Sequence, residues 1–154
     1  MTYVVRGLDP APYRHLFGLS DDELSKQGVV RMTVDDPTYP CRVSLTDRDI
    51  GESVLLVNHV SHDVANPYRA SHAIFVTEAE ETPAEFVDAT PPVFETRVLS
   101  LRGFDADGMM VEAILTQPGE ADADIRKLFG DPAIKTIHAH NATRGCFAAK
   151  IERA

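Results

Sequence analysis

The chain has 154 residues, 44% of them hydrophobic and 25% charged, and a net charge of −9. That length fits one domain able to bury a core without staples, and the acidity excludes the basic footprint that binding to duplex DNA or an anionic membrane requires. The N-terminus carries no signal-peptide pattern and no segment nears the ~20 apolar residues of a bilayer span, so the expected setting is the cytoplasm, with Cys41 and Cys146 reduced.

Thr2 to Arg6 reads as a short strand. Asp9-Pro10 offers a cap with proline at the first helical position, which predicts one or two helical turns over Pro10 to Phe17. Ser20-Asp21-Asp22-Glu23 is a capping box, with Leu19 and Leu24 at the staple positions and Gly28 as the stop. Val29 to Val34 and Cys41 to Thr46 then read as strands, the second with Cys41, Val43 and Leu45 on one face. Ser53 to Val60 is apolar on both faces at first, as in a central strand, and Ser71 to Thr77 follows it. Glu78 to Pro92 is acidic and proline-containing and reads as a mobile loop or a short helix.

Arg97 to Phe104 and Met109 to Leu115 flank Asp105-Ala106-Asp107-Gly108, a hairpin signal. A calcium loop is the poorer reading of that turn, because Thr116 stands where the twelfth-position glutamate would be. Glu120 to Phe129 is the longest helix, ended by Gly130-Asp131-Pro132. Ile134 to His140 and Cys146 to Glu152 form a closing hairpin. The sum is an α+β domain of about eight strands and two or three short helices. Its short connections predict a largely antiparallel, strongly curved sheet.

Polar residues of the kind that bind ligands or move protons gather in three places. Tyr68, Arg69, Ser71 and His72 run straight into an apolar strand. Arg69 suits a carboxylate or phosphate, Tyr68 and Ser71 suit hydrogen bonding, and His72 suits acid–base work. A plain loop, with Arg69 paired to an acid and Tyr68 packed on the core, explains the same residues. His138 and His140 share one strand face with Cα atoms ~6.5–7 Å apart. They invite a metal if His59, His62, His72, Glu112 or Cys41 supplies a third ligand, and otherwise they are histidines hydrogen-bonded to backbone. Asn141 and Arg144 follow in the turn. Arg42 completes an anion pocket if it converges with Arg69 and Arg144, against the competing account of scattered surface arginines. Eleven arginines against four lysines favour forked contacts with anions, although a compositional habit accounts for the count equally well. Cys41 is a nucleophile only if a histidine lies within reach, and a small buried apolar side chain otherwise.

Pro40 to Leu45 with Gly51-Glu52, Pro67 to Val76, and His138 to Cys146 resemble three linked blocks of the bacterial family grouped as domain of unknown function 1203. The resemblance implies a complete small bacterial protein. It brings no activity, cofactor or catalytic residue.

Three readings of function follow. In the first, a small anionic metabolite binds among Arg42, Tyr68, Arg69, Ser71, Asn141 and Arg144, with His72 and His138 or His140 exchanging protons. In the second, a metal-dependent hydrolase or oxygenase uses His138 and His140. In the third, the protein is a non-enzymatic sensing or interaction module, with a homodimer among its arrangements. No particular cofactor is indicated. All three readings turn on whether the three blocks meet in space.

Overall fold

The computed structural model describes residues 1–79 and 81–154. Glu80, part of the acidic run, lies outside them. The first third of the chain holds β1 (Tyr3–Arg6), a 3-10 turn over Ala11–Leu16, α1 (Asp21–Lys26) and β2 (Val30–Thr33). The middle holds β3 (Ser53–His62), β4 (Ala70–Thr77), β5 (Glu85–Val87) and α2 (Pro92–Glu95). The last third holds β6 (Leu99–Phe104), β7 (Met110–Thr116), α3 (Ala121–Phe129), β8 (Thr136–Asn141) and β9 (Phe147–Arg153).

The nine strands among the described residues form two sheets, not one. A six-stranded sheet runs β5-β1-β9-β8-β6-β7 and a three-stranded sheet runs β2-β3-β4, with every strand pairing antiparallel. The architecture is α+β, as expected. The strand expected over Cys41 to Thr46 is instead a tight loop. Cys41 N–H donates to Thr46 O at 2.9 Å, and Leu45 N–H donates back to Cys41 O at 2.9 Å. Leu45 takes a positive φ of 57° to make that turn, and its side chain is buried in the larger core. Alternation of apolar residues therefore reflected burial of a turn, not a pleat.

Each sheet has its own core. Tyr3, Leu99, Leu101, Ile137, Ala139 and Ile151 of the large sheet pack with Phe94, Ile125, Leu128 and Phe129 of α2 and α3. Leu55, Val57, Ile74 and Val76 of the small sheet pack with Leu16, Leu24, Cys41 and Val43. The Ser20 capping box forms with both of its reciprocal bonds, and it delivers Leu24 into that second core. Because β8 sends Ile137 and Ala139 into the large core, His138 and His140 must face the other way, toward the small sheet.

Gly7 is where the sheets and the Arg42 loop are tied. Its N–H donates to Ala84 O at 2.8 Å, Ala84 N–H donates to Val43 O at 2.9 Å, and Leu8 N–H donates to Arg42 O at 2.7 Å. A Cβ at Gly7 would overlap the Val43 carbonyl and come within 2.9 Å of Ala84 N. Both neighbours are backbone and cannot swing away. Gly7→Ala is therefore expected to cost on the order of 3 kcal/mol. Chemical denaturation measures it, and an unchanged midpoint would show that the three segments are not tied there.

Candidate functional site

Five of the six histidines gather where the sheets meet. β3 supplies His59 and His62, β4 supplies His72, and β8 supplies His138 and His140. The His72 and His140 rings lie 4.9 Å apart, and the His62 and His138 rings 5.0 Å apart, both nearly perpendicular. Phe104 and Phe147 fill the space between: Phe104 lies 4.1 Å from His62 and 5.0 Å from His138, and Phe147 lies 5.4 Å from His138.

The bonding of these rings separates their roles. His140 donates Nδ1–H to Gly145 O at 3.0 Å, and His62 donates Nε2–H to Gly108 O at 2.8 Å. His59 bonds the Tyr13 hydroxyl at 2.7 Å, and His72 Nδ1 meets Ser61 Oγ at 3.2 Å. His138 Nδ1 is buried with no partner among the described residues. Burial holds the imidazoles of His59 and His72 below their ordinary pKa. Burial, with nearby cationic groups, pushes His138 down to about 3 and His140 to about 4. At neutral pH these four rings are uncharged.

Beside this seam lies a groove of about 1060 Å³. One wall is the outer face of the small sheet, with Met32, Leu56 and Phe75; Tyr39 stacks on Phe75 with centroids 4.9 Å apart. The other wall carries Arg42, Arg97, Asn141, Arg144 and Cys146. His72 reaches the groove; His138 and His140 do not line it and stand in the seam behind it.

Arg42 is 3% exposed. It donates from Nε to Phe147 O at 2.8 Å, from Nη1 to Pro40 O at 2.6 Å and from Nη2 to Cys146 Sγ at 3.3 Å. None of these acceptors is a carboxylate, and desolvation lowers its pKa from the ordinary arginine value. Three of its five N–H groups are thereby committed, leaving two. Arg97 is instead paired bidentately with Asp47, at 3.0 and 2.6 Å. Arg144, exposed in the β8–β9 turn, makes no hydrogen bond or ion pair among the described residues; it helps hold the Asp36 carboxyl low, after the two bonds Asp36 accepts from Thr38.

Arg42, His72, Asn141 and Arg144 thus line one groove. Tyr68, Arg69 and Ser71 do not. Arg69 forms an exposed ion pair with Asp63. Tyr68 lies edge-on to Phe104 at 6.3 Å, on a turn that Asn66 fastens to Asp107 O at 3.0 Å. Ser71 is exposed on β4 outside the groove. The turn between β3 and β4 closes against the β6–β7 hairpin, which sets its polar residues outside the groove.

Cys41 lies fully buried in the small core, while Cys146 sits half-buried in the groove; both thiols are free. Cys146 Sγ also accepts from Asn141 Nδ2 at 3.3 Å. Arg97, Tyr39 and Met32 are groove residues outside the three sequence blocks, and Cys146 closes the third block without having been assigned a role. Among the described residues no three His, Cys, Asp or Glu side chains form a set able to hold a metal ion. His138 and His140 each pair with a ring from the other sheet.

Fold and site define a two-sheet α+β protein with a histidine seam and an arginine-walled groove beside it. The family model described as protein of unknown function (DUF1203) matches residues 38–153, and the chain belongs to that family. No curated protein and no solved structure matches it. No helix among the described residues is long and apolar enough to cross a membrane.

Proposed function

We propose that the groove binds a small organic anion, carboxylate- or phosphate-bearing, through Arg144 and the two uncommitted N–H groups of Arg42. Asn141 and the neutral imidazole of His72 supply further polar contacts. The observation that carries this reading is the distribution of acid partners. Arg6, Arg31, Arg48, Arg69, Arg97 and Arg126 all form ion pairs with Asp or Glu. In a chain of net charge −9 acids are abundant, yet among the described residues Arg42, Arg102, Arg144 and Arg153 form no ion pair; Arg153 is committed to backbone carbonyls and Arg102 bonds Ser100 Oγ, while Arg42 and Arg144 face one groove. A buried guanidinium without a carboxylate is costly unless an anion completes it. On this reading any proton exchanged with the bound anion passes through His72, the one seam histidine at the groove wall, with His140 behind it.

Thermal-shift and calorimetric titrations with acetate, succinate, benzoate and inorganic phosphate test it. At least one of these anions is expected to stabilise the protein by mass action, about 2.7 kcal/mol at a hundredfold excess over Kd. Arg144→Ala should abolish the effect and Arg69→Ala should leave it intact. Equal binding by the two variants, or no binding by the unaltered protein, contradicts the reading.

A second reading rests on the β7 edge, where Val111 and Leu115 are 41% and 65% exposed. Antiparallel pairing of two copies about Ala113 would set Val111 of each against Leu115 of the other and keep the Glu112 side chains off directly opposed positions. Sedimentation of the unaltered protein and of Leu115→Lys decides this: a dimer lost in the variant supports it, and a monomer at high concentration removes it.

A further inference from the structure

We infer that the ligand of this groove is an amphiphile, a carboxylate head on an aliphatic or aromatic body, and not a small free anion. The inference rests on the anion-binding reading and specifies its ligand.

The face of a two-layer sheet turned away from its core is ordinarily polar. In the small sheet, Leu55, Val57, Ile74 and Val76 point into the core, so their neighbours in the alternation face outward. Those neighbours include Leu56 and Phe75, which are register partners on β3 and β4, and Met32 on β2, whose partner is Val54. This outward surface is therefore apolar where alternation calls for polar residues. The apolar surface runs past the groove to Val30 and Val60, both exposed, and is interrupted on the same strand faces by Asn58 and Ser71. Tyr39, from the segment leading to the Arg42 loop, lays its ring against Phe75 and extends the apolar wall. Its hydroxyl is turned to Asp35 at 2.9 Å, so the ring presents hydrocarbon to the groove.

Size points the same way. A cavity of about 1060 Å³ is at the upper end of those that enclose drug-sized ligands, and a bare inorganic anion would leave most of it to water. Of the two acids of the lining, Asp47 is held by Arg97, while Asp36 accepts from Thr38 and shares the field of Arg144 with the head group. A head on Arg42 and Arg144 with a body along Met32, Leu56, Phe75 and Tyr39 uses the whole lining.

Isothermal titration with acetate, butanoate, hexanoate, octanoate and phenylacetate tests this, with hexanol as the uncharged control. Affinity should rise about two- to fourfold for each added methylene until the groove is filled, and hexanol should bind at least tenfold more weakly than hexanoate. Leu56→Thr, a change on an outward sheet face that leaves the core intact, should flatten the chain-length series while acetate affinity stays within twofold. Phe75→Ala should do the same, and Leu56→Thr keeps the test valid if Phe75→Ala fails to fold. Acetate and hexanoate binding equally well overturns the amphiphile and leaves the anion site standing. Hexanol matching hexanoate overturns the carboxylate head. If no anion in the series binds, the underlying reading fails with it.

Discussion

Acidification from pH 7.5 to pH 5 should lower the unfolding free energy by about 4 kcal/mol through His138 and His140 alone. Their folded pKa values, about 3 and about 4, lie below the ordinary 6.5 that they regain on unfolding. Above 6.5 both states hold these rings neutral and the full stability is present. Below 6.5 the unfolded chain takes up protons that the folded chain refuses, so stability falls with pH until the folded values are reached. Each ring contributes about 2 kcal/mol by pH 5, at about 1.4 kcal/mol per unit below 6.5. His138 is faced by His62 on β3, Arg102 on β6, its neighbour His140 on β8 and Lys150 on β9, and no acid among the causes of its shift would welcome its charge. His140 accordingly meets His72, Arg42 and Arg102. His59 and His72 add to the slope in the same direction. Urea denaturation at half-unit pH steps measures the curve. His138→Leu, close in volume and forfeiting no bond at the unpartnered Nδ1, should remove about half of the loss assigned to the two rings. A stability independent of pH between 7 and 5 would mean the seam does not exclude protons.

Arg42→Lys should destabilise the fold by about 2 kcal/mol and weaken anion binding at least tenfold, although it keeps the charge. The guanidinium reaches three acceptors in three directions: Phe147 O on β9, Pro40 O in its own loop and Cys146 Sγ in the turn. One ammonium cannot serve all three from a single point, and a buried carbonyl left unpaired costs about 1–3 kcal/mol. The loop also loses its tie to β9, so the turn bearing Asn141 and Arg144 shifts relative to the small sheet. Denaturation and ligand titration on the same variant separate the two effects. A variant as stable as the original, binding as tightly, would show that the fork is not what organises the groove.

Local chemistry made much of the fold legible. The capping box at Ser20, the Asp105–Gly108 hairpin and the helix before Gly130 depend on short-range bonds, and they form as expected over Asp21–Lys26, Leu99–Thr116 and Ala121–Phe129. Cys41 to Thr46 misled because a buried turn and a half-buried strand can share one apolar pattern, and only the long-range ties to Phe75 and Leu8 decide between them. The division into two sheets was hidden for the same reason, since pairing partners lie far apart in the chain. Tyr68, Arg69 and Ser71 adjoin His72 in the chain but lie outside the groove it lines. Alternate residues of β4 face opposite ways, and the turn before it is held at the far end of the strand by Asn66. Arg144 was recognisable as a residue with no structural duty in its turn, whereas Asn141 is a turn former and Arg42 and His72 stood out only by residue type. Arg97 and Met32 did not stand out, because pairing with Asp47 and sheet register, respectively, are what bring them to the groove.

The central claim, that Arg42 and Arg144 form one anion site in the groove beside the seam, is tested most directly by nuclear magnetic resonance. Backbone amide shifts are followed while hexanoate is titrated into isotope-labelled protein. Saturable shifts with a single dissociation constant are expected at Thr38, Tyr39, Arg42 and Asn141 through Cys146, with Tyr68 through Ser71 unmoved. Shifts absent from those residues, or centred on the Tyr68–Ser71 turn, would contradict the account.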